Sequence, residues 1–180
     1  MCRFFSALGL PSGDILWHQA TDSHADLVLI QGLDDTKEDA TFAKLELVPP
    51  NDDGWSDVSK WEFTLDEDVR PRWVKGEMLA EWEGRMRSAA KKMIVTSGTI
   101  PIIASGVWLV GGEAVVRKMI GGRVVMVRDS ASITDVRDSA SITDVGGSAS
   151  ITGVRGSVLL SDSAKRHVLS PASGGGSDER

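Results

Sequence analysis

The chain has 180 residues and a formal net charge of −6 at pH 7, which is enough for one domain and a repetitive extension. Its single cysteine excludes an internal disulfide framework, and its acidic balance disfavours nonspecific binding to nucleic-acid phosphates. The longest apolar run, residues 100–110, is broken by Pro101, Ser105 and Gly106, so we expect no membrane span and a cytoplasmic location.

The first part of the chain favours short strands separated by turn-forming segments. Alternation of apolar and polar side chains predicts strands at 3–8, 15–19, 42–48 and 61–65. Ser23 and Asp26 have the spacing of a helix-capping box, which predicts a short helix over 24–31 closed by Gly32.

A helical pattern follows at residues 75–93. Trp82, Met86 and Ala90 recur at four-residue steps with charged residues between them. We therefore predict an α+β head over residues 1–105, with a mostly antiparallel sheet and one long helix across it.

Nine-residue repeats dominate the next segment. The three most similar copies begin at Ser130, Ser139 and Ser148, and a degenerate copy begins at Ser157. Each complete copy opens Ser-Ala-Ser-Ile-Thr and carries a Val near its end. Such self-similarity is typical of a solenoid. We interpret each copy as half a coil of about eighteen residues, which predicts a short β-solenoid over residues 106–166 and a flexible tail over 167–180.

Several residues are candidates for binding a partner or ligand. Trp55, in an acidic loop, is a candidate for an exposed contact with a protein partner, although tryptophans in so small a domain more often pack in its core. Arg128, Arg137 and Arg155 recur in the bends of the repeat and could hold a small anion. The aspartates of the same bends offer an alternative, since they could pair with these arginines.

One cluster has residue types that bind metals. His18, Asp22 and His24 could supply two imidazoles and a carboxylate to a divalent ion. The alternative is ordinary helix capping with exposed histidines. No nucleophile–base arrangement or phosphate-binding loop is recognisable, so we expect no cofactor and no enzyme activity.

The segment 17–27, the Gly-Val-Trp-Leu-Val run at 106–110 and the repeats together resemble a group of largely uncharacterised bacteriophage and prophage proteins. That resemblance implies a small N-terminal domain joined to tandem short repeats, in the cytoplasm of a host cell. It supplies no catalytic residue.

The sequence therefore favours a non-enzymatic interaction protein of phage type. Its head would bind a host or phage protein, and its solenoid would serve as a spacer or as a surface for homo-oligomers. The alternatives are a protein that sequesters a small molecule and a metal-dependent enzyme built on His18, Asp22 and His24.

Overall fold

The computed structural model of the chain describes residues 4–18, 21–34, 41–50 and 53–169. The chain divides into two compact units, Met1–Ile94 and Val95–Arg180. This division falls before the predicted boundary at residue 105. The reason is that the chain already supplies two strands to the solenoid sheets at Ile94–Val95 and Thr99–Ile100.

The described residues of the N-terminal unit form one antiparallel sheet and two α-helices. In chain order its elements are β1 (Phe5–Gly9), β2 (Ile15–Leu16), α1 (His24–Ile30), β3 (Ala43–Val48), β4 (Glu62–Leu65) and α2 (Gly76–Lys91). Short 3-10 helices lie at Asp53–Ser56 and Val58–Lys60. The four strands are ordered β2-β1-β3-β4, and all neighbouring strands are antiparallel. A short turn joins β1 to β2, whereas the connection from β2 to β3 contains α1.

Both helices begin and end near the positions that the sequence favours. α1 is capped by the Ser23 hydroxyl, which accepts a hydrogen bond from the Asp26 amide at 3.3 Å. Beyond its end, Gly32 adopts a φ of +63°, as expected of a glycine that closes a helix. α2 buries Trp82, Met86 and Ala90, the side chains that recur at four-residue steps.

The two faces of the sheet are set by strand alternation. On β3, Leu45 and Leu47 point to one face, whereas Lys44 and Glu46 point to the other. Trp82 of α2 lies against β1, where its ring leaves no room for a side chain at Gly9.

The C-terminal unit is a β-solenoid of about four coils. Its strands are β5 (Ile94–Val95), β6 (Thr99–Ile100), β7 (Val107–Val110), β8 (Val115–Val116), β9 (Arg123–Val127), β10 (Ser132–Ile133), β11 (Ser141–Val145), β12 (Ser150–Ile151) and β13 (Leu159–Leu160). The odd-numbered strands form a five-stranded sheet, ordered β13-β11-β9-β7-β5, and the even-numbered strands a four-stranded one, ordered β12-β10-β8-β6. The expectation of an antiparallel N-terminal sheet followed by a β-solenoid is confirmed.

The register of the paired strands gives the number of residues in one coil. Ser132 pairs in parallel with Ser150, eighteen positions on, and Ile142 pairs with Leu160 at the same offset. In the first coils the offset is shorter, since Thr99 pairs with Val115. Consecutive strands of the chain thus alternate between the two sheets.

The apolar columns of the repeat form the interior of the coils. The buried side chains contributed by the three best copies are Ala131, Ile133, Val136, Ala140, Ile142, Val145, Ala149 and Ile151. Because each rung stacks on the next, a coil buries these side chains only against its neighbours.

The ninth position of successive copies has one backbone conformation. Asp138, Gly147 and Gly156, which end the copies beginning at Ser130, Ser139 and Ser148, have φ values of +57°, +67° and +80°. Asp129, directly before the first of these copies, has a φ of +58°. Residues with a Cβ rarely adopt this left-handed region, and Asp and Asn tolerate it better than most. The restriction of this position to Asp and Gly therefore follows from the geometry of the corner.

Substitutions at Gly156 test this corner. We expect Gly156→Val to lower the free energy of unfolding by about 1–2 kcal/mol and Gly156→Asn by about half as much, because a β-branched residue is the least compatible with positive φ. A steric clash does not contribute to this cost, because a Cβ added at Gly156 would lie 3.4 Å from its nearest neighbour, an ordinary van der Waals contact. Urea unfolding measures both variants, and equal losses would contradict a conformational cause.

Candidate functional site

The distal end of the solenoid is closed by a short helix. α3 (Asp162–Arg166) begins after Ser161, whose hydroxyl accepts a hydrogen bond from the Ala164 amide at 3.2 Å. Ala164 is fully buried among the apolar side chains of the coils. The helix therefore covers the end of the core, as a terminal cap of a repeat protein must.

The chain after α3 returns to the sheet. The Ile151 amide donates to the His167 carbonyl at 3.0 Å, and the Leu169 amide donates to the Ile151 carbonyl at 2.8 Å. The predicted tail over 167–180 is thus wrong for its first three residues, because hydrogen bonds to β12 hold them. The rest of the predicted tail, 170–180, lies outside the described residues.

Apolar side chains remain exposed at this end. Leu159 is 70% exposed and Leu169 is 55% exposed. Leu159 pairs with Ser141 on the neighbouring strand and occupies the place that serines hold in the three complete copies. Within the described residues β13 is an end strand, paired with β11 on one side only. β13 therefore carries an apolar side chain at the position where β9 and β11 carry Arg123 and Ser141.

The arginines predicted as clamps for an anion engage carboxylates of the bends instead. Arg128 forms an ion pair with Asp144. Arg137 forms a bidentate pair with Asp135, with both N–O distances at 2.7 Å. This hydrogen bonding lowers the pKa of the Asp135 carboxyl and raises the pKa of the Arg137 guanidinium. Arg155 is exposed, and its charge also lowers the pKa of Asp135.

Trp55 does not offer the surface that the sequence suggested. It is only 4% exposed, and its backbone carbonyl accepts a hydrogen bond of 2.7 Å from the Trp61 ring nitrogen. The expectation of an exposed Trp55 is wrong. Packing of aromatic rings in a small core outweighs the acidic sequence around it.

The structure places the predicted metal ligands differently. His24 is brought together with Glu46 and Asp66, and the ligand atoms of these three side chains all lie within 4.8 Å of one another. His18 and Asp22, although described, are not members of this group. The grouping of His18, Asp22 and His24 that we predicted is thus not the one that the fold assembles.

Sequence reasoning missed Glu46 and Asp66 because they are distant from His24 along the chain. Glu46 holds a polar position in the alternating strand β3, where a solvated side chain is the normal expectation. It is buried instead, on the face of the sheet where Leu27 of α1 packs against Leu8 of β1. Leu159, by contrast, carried a signal in the sequence, since it breaks the serine column of the repeat.

α1 exposes a second apolar surface, in the N-terminal unit. Leu27 is fully buried, yet Leu29 is 79% exposed and Ile30 is 49% exposed. A surface helix normally turns polar side chains to solvent. Neighbouring exposed Leu and Ile side chains therefore offer an apolar contact to a binding partner.

Comparisons with known proteins found no matching protein family and no similar curated protein or solved structure. In the described part of the chain, no helix combines the length and the apolar character that a membrane crossing requires.

Proposed function

We propose that this chain is a non-enzymatic interaction protein of the phage type that its sequence resembles, and that it self-associates through the distal end of its solenoid. The observation that carries this proposal is the exposed Leu159 on the end strand, in a column where the complete copies hold serine. Terminal rungs of repeat proteins usually present a polar outer face, which keeps them from stacking.

In this proposal, a second copy of the chain binds to the end strand β13 and its exposed Leu159. An end strand presents unpaired N–H and C=O groups, which a β-strand from another molecule can satisfy. Two identical ends can meet about a twofold axis, so that each Leu159 packs against the other copy. Desolvation of Leu159 and Leu169 would add to the free energy of these backbone hydrogen bonds.

In this proposal the coils themselves act as a spacer. Each nine-residue copy would be one half-coil, so that duplication of copies lengthens the rod without changing its cross-section. The bend arginines support this role, because Arg128 and Arg137 are engaged by aspartates and so are less suited to hold a small anion. The head would bind a host or phage protein, with Leu29 and Ile30 of α1 as the contact.

Leu159→Gln is expected to shift the chain from dimer to monomer in sedimentation velocity over a concentration series, weakening association about tenfold or more. The substitution leaves the fold intact because the side chain is mostly in solvent. Ile102→Gln is the matched control, since Ile102 is a 48% exposed apolar residue of the same unit but lies in the first coil.

Leu29→Gln tests whether the head, rather than the solenoid, joins the copies. We expect it to leave the sedimentation profile unchanged. A wild-type chain that stays monomeric at the highest concentration, or equal effects of Leu159→Gln and Ile102→Gln, would refute self-association through the solenoid end.

A further inference from the structure

We propose that His24, Glu46 and Asp66 form a binding site for a divalent transition-metal ion, with zinc as the best fit to the ligand set. These residues come from three different parts of the N-terminal unit: the start of α1, the middle of β3 and the residue after β4. No sequence motif joins them, and the site is independent of the solenoid end.

The position of His24 is fixed by the backbone around it. The Ser6 hydroxyl donates to the Asp22 carbonyl at 2.5 Å, which ties the start of α1 to β1. His24 follows the N-cap Ser23 as the first residue of the helix and is 4% exposed. The Asp66 amide donates to the Lys44 carbonyl at 2.8 Å, which holds the backbone of Asp66 beside β3.

The hydrogen bonding of His24 leaves its second nitrogen beside the Asp66 carboxylate. Nε2 lies 3.0 Å from the Leu45 carbonyl oxygen, which can only accept, so Nε2 carries a hydrogen. In the neutral imidazole this leaves the lone pair on Nδ1. A backbone carbonyl that fixes the tautomer in this way is the usual outer partner of a metal-binding histidine.

Nδ1 lies 3.2 Å from Oδ2 of Asp66. A lone pair and a carboxylate oxygen at this distance repel each other unless a positive centre lies between them, and that centre is either a proton, held by Nδ1 or by the carboxyl oxygen, or a metal ion. Two ligands bound to zinc at about 2.1 Å and separated by this distance subtend about 100° at the ion, close to the tetrahedral angle.

Charge balance favours the metal ion over the proton. A proton on His24 serves the contact with Asp66 alone, whereas a divalent ion bound by a neutral imidazole and two carboxylates forms a site with no net charge. Lys44, on the same face of β3 as Glu46, is the competing cation. The Asp66 side chain is 52% exposed, so it provides the route by which an ion enters and leaves room for a water ligand.

The test uses the full chain, stripped with a chelator and titrated with zinc chloride by calorimetry, and separately with cobalt(II) followed by visible absorption. We expect one ion per chain, cobalt bands typical of a site with nitrogen and oxygen ligands, and a rise in melting temperature. Asp66→Asn is expected to weaken zinc binding about tenfold or more, because it replaces a carboxylate ligand by an amide. We expect little effect on folding, because the Asp66 side chain is 52% exposed.

Asp68→Asn is the matched control, because Asp68 is an exposed aspartate two residues away that lies outside the cluster. Glu46→Gln adds a second ligand variant of unchanged size. Unaltered zinc affinity in both Asp66→Asn and Glu46→Gln would overturn the proposal. So would the absence of zinc binding by the stripped wild-type chain.

Discussion

Trp82→Ala is expected to lower the free energy of unfolding of the N-terminal unit by about 3–5 kcal/mol. Trp82 is fully buried on α2, and its indole N–H donates to the Gly13 carbonyl at 3.1 Å. Its ring also lies where a Cβ on Gly9 would come within 2.9 Å. The truncation would leave a cavity between α2 and β1 and remove the hydrogen bond to the β1–β2 turn.

Two further variants separate the causes of this loss. Trp82→Phe keeps most of the ring and removes the N–H, so we expect a cost of about 1–2 kcal/mol. Trp17→Ala truncates a tryptophan that is already 36% exposed and should cost clearly less than Trp82→Ala. Urea unfolding followed by fluorescence measures all three, and equal losses for Trp17→Ala and Trp82→Ala would contradict the packing that we describe.

Gly112→Ala is expected to destabilise the solenoid by about 4 kcal/mol or more. Gly112 has a φ of +57°, and a Cβ added there would lie 2.1 Å from the Thr96 carbonyl oxygen. Because that neighbour is backbone in the adjacent coil, it cannot rotate away. The clash would also displace the Gly112 amide from the Asp129 carboxylate, to which it donates at 2.8 Å.

Gly98→Ala is the matched control for backbone strain alone. Gly98 has a φ of +80°, but an added Cβ would meet nothing within 4 Å. We expect a cost of about 1–2 kcal/mol, which is the penalty of the left-handed conformation without a clash. Unfolding of the two variants by urea should differ by more than that penalty, and similar losses would show that the coils are less closely packed at Gly112 than the structure indicates.

Burial reverses two of the sequence-based expectations about single residues. Trp55 lies in an acidic stretch of the sequence and Glu46 holds a polar position of an alternating strand, yet both are buried, at 4% and 9% exposure. For Glu46 the burial involves segments that are distant in the sequence, since Leu27 of α1 packs against Leu8 of β1 on the same face of the sheet. Local composition is a poor guide when a distant element decides which face of a strand or loop is covered.

The residues of the proposed metal site could likewise not all be identified from local sequence. His24 was recognisable as a potential ligand from its sequence neighbourhood, but its partners were not. Glu46 and Asp66 reach it because β3 and β4 are adjacent antiparallel strands, so residues that are far apart in the chain meet at one position of the sheet. A search limited to short spacings selects His18 and Asp22 instead.

The sequence by itself determined the solenoid. Its apolar columns, its Ser and Thr positions and its turn-forming corners recur at a fixed interval, and neighbouring coils are neighbours in the chain, so local periodicity is enough to specify the packing. Only the tertiary structure decided the assembly of the head, the cluster around His24 and the start of the first coil near residue 94. The physical reason is that these features depend on contacts between segments with unrelated sequences, whose free energy comes from burial against a distant partner rather than from a repeating local pattern.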